Sequence, residues 1–169
     1  MTPKIGYLLP TRERVMEGSP DGVKLIQLAQ RAEDLAYDSL WIGDSLIDRP
    51  RHEPLTMLAG VAGCTTRISL GTAVLLPALR NPVLLAQQVA TLDQLSAGRF
   101  ILGIGIGPNN HQGAKAEFVA AGVPFDKRVG RILESMQLCR ALWSGEPVNW
   151  EGRWELRNAT LGPTPYRVG

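Results

Sequence analysis

The sequence predicts a parallel α/β protein, and three observations carry that expectation. Short apolar runs alternate with longer amphipathic segments in the order βαβαβαβα, followed by a hairpin. The runs start at Ile5, Ser39, Ile68 and Arg99, that is 34, 29 and 31 residues apart, the length of a strand with its helical crossover. Apart from Asp44 at one tip and Arg99 at one start, they are apolar on both faces, as strands covered by helices must be.

The elements follow in order. The first strand is IGYLL at 5–9. Asp21 then offers an acidic N-cap to a helix whose apolar face is Ile26, Ala29, Ala32, Leu35 and Ala36, three or four residues apart in the main. SLWIG at 39–43 is the second strand and ends on Asp44. A Pro- and Arg-rich loop leads to a helix over about 54–64, and the third strand runs over 68–76 until Pro77 stops it. Asn81 as N-cap with Pro82 at the first helical position opens the next helix, because proline lacks an N–H that would be unpaired there anyway. Its apolar face is Leu85, Val89, Leu92 and Leu95, and Gly98 suits the position beyond its end. The fourth strand covers 99–106, and a long helix over about 126–143 carries Val129, Ile132, Met136 and Leu142. A Glu151-Gly152 turn makes a small hairpin of residues 148–156.

Composition narrows the functional classes. Eighteen Lys and Arg against sixteen Asp and Glu leave a net charge of +2, too little bias for a nucleic-acid or acidic-membrane partner. No apolar run approaches the roughly 18 residues of a spanning helix, and the N-terminal run is too short for a signal peptide. Cys64 and Cys139 lie far apart and outside any zinc or disulfide spacing, and read as buried thiols. A cytoplasmic globular protein of one domain over 1–169, with a small-molecule ligand and no metal, is the expectation.

In such folds ligands bind beyond the C-terminal strand ends. Those tips are residues 10–12, Asp44 and Ser45, residues 75–77, and residues 107–111. On the fourth strand Gly103, Gly105 and Gly107 share one face, where either a flat ligand or another backbone comes close, or where a large neighbour such as Trp41 needs room. Gly103 to Pro108 reads G-x-G-x-G-P, which is not the dinucleotide fingerprint, and residues 108–113 read as a loop where that motif needs a helix. Asp44 either binds a ligand's hydroxyl or amide or caps the loop after it. His111 stands in the glycine-strand loop as a general base or a surface histidine, and His52 reads as a helix-entry residue. Lys127, Arg128 and Arg131 are expected to form a solvated face.

LWIGD at 40–44, ISLGTAV at 68–74, NPVLLAQQVATLDQLSAGRF at 81–100 and LGIGIG at 102–107 together resemble the bacterial luciferase-like monooxygenase family, most closely its deazaflavin-using branch. Glu117-Phe118, GVPF at 122–125 with Arg128, and LWSG at 142–145 continue the likeness over nearly the whole chain. The resemblance implies a (β/α)₈ barrel of the TIM type, of which four units are about the first half, the chain being truncated at its C-terminus. It implies the deazaflavin coenzyme F420 or FMN as cofactor, with Asp44, Ala73, Val74, Gly105, Gly107 and Asn109 around the ring and a cis peptide at Ala73–Val74. Ser45 stands where some deazaflavin enzymes have a histidine, and Pro108 where one branch has a glutamate, so no acid or base carries over. Hydride transfer or monooxygenation at the flavin ring is the implied chemistry. An inactive half-barrel remnant that binds flavin or only folds, and a nucleotide-binding α/β module, are the competing readings. A half-barrel also exposes strand edges, so a homo-oligomer is expected.

Overall fold

The computed structural model describes residues 3–108 and 112–167. Four parallel strands form one sheet in the order β1 (Gly6–Leu8), β2 (Ser39–Ile42), β3 (Ser69–Thr72) and β4 (Phe100–Ile101). The crossovers are α2 (Gly22–Asp34), α3 (Pro54–Ala62) and α4 (Pro82–Leu95), and the anticipated caps hold two of them. Asp21 accepts from the Val23 and Lys24 amides, and Asn81 from those of Val83 and Leu84. Glu53, unremarked in the sequence, caps α3 by accepting from Thr56 N at 2.7 Å.

Several expectations need correction. A short helix, α1 (Thr11–Met16), follows β1, and α5 (Gln112–Ala120) follows β4 where residues up to 113 read as loop. The long helix, α6, starts at Arg128 and runs to Trp143, after a 3₁₀ turn at Phe125–Lys127. It buries Ile132, Ser135, Leu138, Cys139 and Leu142 but leaves Val129 exposed. Leu35 and Leu95, at the ends of their helices, are exposed too, because the apolar stripe outruns the sheet it packs on. The hairpin pairs β5 (Val148–Glu151) with β6 (Glu155–Ala159), so its turn lies one step further on than Glu151-Gly152.

The core lies between the outer sheet face and the helices. Leu40, Ile42 and Leu70 meet Leu25 and Ala29 of α2, Leu58 and Val61 of α3, and Leu85 of α4, all fully buried. Cys139 is buried among them, and burial pushes its thiol up to about 12; Cys64 is only half-buried.

The other sheet face is a different matter. Leu8, Trp41, Gly71 and Ile101 are register partners in one row across all four strands. The Trp41 ring lies flat over this row: a Cβ on Gly71 would strike it, and one on Gly6 would come within 2.6 Å of its Nε1. Trp41 Nε1 donates to Ser39 Oγ at 2.9 Å, which keeps the ring flat. Leu8 at the β1 edge is 62% exposed and Ile101 at the β4 edge 45% exposed.

Glu33, near the end of α2, stitches that helix to the approach to β3 by accepting from the Thr66, Arg67 and Ile68 amides. Burial raises its pKa, but the three donors outweigh burial and hold the carboxyl below the usual glutamate value. A depressed carboxyl stabilises the fold above its unfolded pKa, about 4.3, and loses that contribution as pH falls through the folded value. Denaturant titrations of E33Q across pH should therefore show lower stability at neutral pH and a shallower acid decline below about pH 4 than the native chain. Parallel curves would remove Glu33 from the acid response.

Candidate functional site

The C-terminal strand tips enclose a cleft of about 360 Å³, within the size range of small-molecule sites. Gly43, Asp44 and Ser45 arrive from β2, Ala73, Val74 and Leu76 from β3, and Gly105, Ile106, Gly107 and Pro108 from the strand segment beyond β4. Asp48, Arg49, Arg51 and Glu117 complete the wall.

The shape of the third and fourth tips comes from backbone contacts. Regular pairing stops after Thr72, the Ala73–Val74 bond is cis, and Leu75 then resumes a single bridge to Ile104. Ala73 N donates to Ile42 O at 2.7 Å, and Thr72 Oγ1 to Gly103 O at 2.7 Å. A Cβ on Gly103 would strike Thr72 O, and one on Gly105 would strike the Val74 side chain. The first two glycines of the fourth strand therefore admit the third strand, while Gly71 is small because Trp41 covers it. Gly107 adopts φ +78°, a conformation that favours glycine, and backs onto Phe118. Val74 and Ile106 stay about 40% exposed and present apolar surface to the cleft.

The carboxylate of Asp44 is buried, 1% exposed, and turned onto Arg80. Arg80 Nη1 donates to Oδ2 at 2.5 Å and Nη2 to Oδ1 at 3.1 Å, a two-pronged fork, while Leu76 N donates to Oδ2 at 2.9 Å. Arg80 Nη2 also reaches Glu53 Oε1 at 3.0 Å. Burial works against the Arg80 charge, but Asp44 first and Glu53 second hold its pKa above the ordinary value. Glu117 on α5 is the second buried acid, at 2% exposure. Its Oε1 accepts from Ser45 Oγ at 2.7 Å and from the amides of Leu46 and Ile47. The loop after β2 is thus wrapped around one carboxylate oxygen.

The predicted solvated face is not one. Lys127 is exposed, but Arg128 is buried, stacks 3.8 Å over Phe125 and donates to Ile106 O and Phe125 O. Arg131 donates to Ala78 O and lies over Trp154. Both side chains spend their donors on backbone carbonyls rather than on solvent.

The structure thus brings Asp44, Ala73, Val74, Gly105 and Gly107 to one cleft; Asn109 and His111 lie outside the described residues. Reading the sequence singled out neither Arg80 nor Arg51, and gave Glu117 no role. Among the described residues no group of acids, histidines and cysteines is arranged for a metal, and no helix is long and apolar enough to cross a membrane. Among the described residues helix α5 begins at Gln112.

Comparison with known proteins agrees with this layout. Residues 3–168 match the family described as luciferase-like monooxygenase. The F420-dependent glucose-6-phosphate dehydrogenase of Kineococcus radiotolerans is 40% identical over 152 residues, which cover 84% of this chain and 43% of that protein. The same enzyme of Amycolatopsis mediterranei is 38% identical, over 83% of this chain and 44% of its own length. Among solved structures, the monooxygenase RslO1 from Streptomyces bottropensis superposes with a TM-score of 0.82 at 26% identity, over 98% of this chain and 50% of that one. An F420-dependent secondary alcohol dehydrogenase in complex with an F420–acetone adduct does so with a TM-score of 0.78 at 25% identity, again over 98% and 50%. The chain spans about half the length of the relatives it matches.

Removing one partner of a buried ion pair strands the other charge. Arg80→Met should therefore lower unfolding free energy by about 3–5 kcal/mol in urea titration. The double variant with Asp44→Asn should recover part of that loss. A single variant with native stability would show that Asp44 does not depend on Arg80.

Proposed function

Because the chain belongs to the luciferase-like monooxygenase family, we propose that its cleft seats the ring of F420 or FMN for redox chemistry on a small-molecule substrate. One observation carries the reading: the C-terminal strand tips enclose a cleft of about 360 Å³ to which Val74 and Ile106 present half-exposed apolar surface. The donor set fits as well, since Asp44 and Glu117 accept from several internal donors and Asp48 is paired with Arg49. The relatives' use of F420, and the F420 adduct in one neighbour, support this cofactor class.

When bound, the ring would supply hydride transfer or, as reduced FMN, oxygen activation. This chain's residues would do the holding. Val74 and Ile106 would offer the ring apolar contact, and the Gly105–Gly107 segment would border it. Asp44, through Leu76 N and Arg80, would fix the floor rather than touch a proton in flight. The chain supplies the first four units of a single luciferase-like domain in a cytoplasmic oxidoreductase.

Fluorescence titration with FMN and with F420 tests the reading. Saturable binding should weaken at least tenfold in I106W, which fills the slot from an exposed position away from the Asp44–Arg80 pair. Equal affinities in the two proteins, or no flavin binding at all, would overturn it.

We also propose self-association through the open sheet. Each neighbour's chain is twice the length matched here, so two copies would supply eight strands, β4 of each lying parallel to β1 of the other. The exposed Leu8 and Ile101 would then be covered. Light scattering should report a dimer at micromolar concentration, and a persistent monomer contradicts this pairing.

A further inference from the structure

We propose that Arg51, with Arg12 behind it, forms an oxyanion subsite at the rim of the cleft, taking a phosphate or carboxylate of the ligand held there. The inference rests on the cleft being a ligand site, but not on that ligand being a flavin.

Arg51 lines the cleft from the loop after β2 and is half-buried. Its guanidinium lies against bare backbone: a Cβ on Gly43 would strike Nη1, with Ala73 O 3.4 Å from the same point. Among the described residues its one hydrogen bond runs from Nε to Arg49 O at 3.1 Å, and no carboxylate lies within ion-pair distance. The two terminal nitrogens are thus uncommitted at the mouth of a cavity. Other cations here are matched: Arg80 by Asp44 and Glu53, and Arg49 by Asp48 at 3.8 Å. The nearby acids are engaged as well, Asp44 by Arg80 and Leu76 N, and Glu117 by the 45–47 loop.

Arg12 brings a second cation to bear on Arg51, its own ion pair being with Glu13. Its Nε is buried, and Glu13 Oε1 stands 3.3 Å away but outside hydrogen-bond geometry. Burial first and the Arg12 charge second push the Arg51 pKa down, with Glu13 and Asp44 opposing more weakly. Arginine does not relieve such crowding by losing its proton at neutral pH. A bound oxyanion does: it pairs the charge, and its oxygens match the planar fork of N–H donors.

Calorimetric titration of the full chain with inorganic phosphate tests the subsite. Native protein should bind it saturably. R51Q should bind it roughly tenfold more weakly, the effect of losing charge-assisted hydrogen bonds, and R12Q less so. R51K, which keeps the charge but not the fork, should fall between native and R51Q. R140Q, on the exposed side of α6, should match the native chain. Circular dichroism checks that each variant is folded; if R51Q is not, R51K decides. A parallel comparison of FMN with riboflavin identifies the source of the oxyanion. If R51Q weakens FMN alone, the group is the cofactor's phosphate; if it spares both flavins while phosphate binding drops, the group belongs to the substrate. No saturable phosphate binding, or affinities unchanged in the Arg51 variants, overturns the proposal. Because phosphate is read without flavin, that failure leaves the ring reading standing, and the FMN titration can fail without touching the subsite.

Discussion

The buried Asp44–Arg80 pair is the constraint on which the strand-tip end of the molecule depends. Asp44 ends β2, Arg80 stands just before α4, and the amide of Leu76 between them closes onto the same carboxylate. The second Arg80 nitrogen reaches Glu53, which also caps α3. One charge cluster therefore fixes two helix starts and two strand ends. A carboxylate this deeply buried is tolerable only with its fork intact, so its geometry is all-or-none. The cleft inherits that rigidity, since Asp44, Ala73, Val74 and Leu76 wall it on two sides.

Around this pair the two sheet faces serve opposite ends. The outer face is a conventional core, closed by Leu and Ala from three helices. The inner face has the covering ring of Trp41 but little else, and its row runs out at both edges into exposed Leu8 and Ile101. A complete barrel packs such a row against side chains from the remaining strands. The cleft sits at the C-terminal rim of this exposed inner face.

Much of this was legible in the sequence, for physical reasons. Asp21 and Asn81 announce helix starts because short polar side chains cap locally, and the strand runs are apolar because both faces meet protein or each other. What escaped was long-range or locally ambiguous. Asp44 finds its partner 36 residues away, and nothing near Arg80 marks it as buried. Lys127, Arg128 and Arg131 look alike by composition, yet Arg128 turns inward to cover Ile106 O and Phe125, which only tertiary packing decides. Helix α5 follows Pro108 and mixes alanine with polar residues, so its apolar stripe is faint. Of the two readings open for the fourth-strand glycines, close approach of the third strand holds at Gly103, against Thr72 O, and at Gly105, against the Val74 side chain.

Amide NMR of the labelled chain titrated with FMN locates the ring. Ring binding in the cleft should concentrate the shifts at Gly43, Val74, Leu76, Gly105 and Gly107. Shifts gathered instead at the opposite end of the sheet, around Ile5, Leu35 and Tyr37, would contradict it.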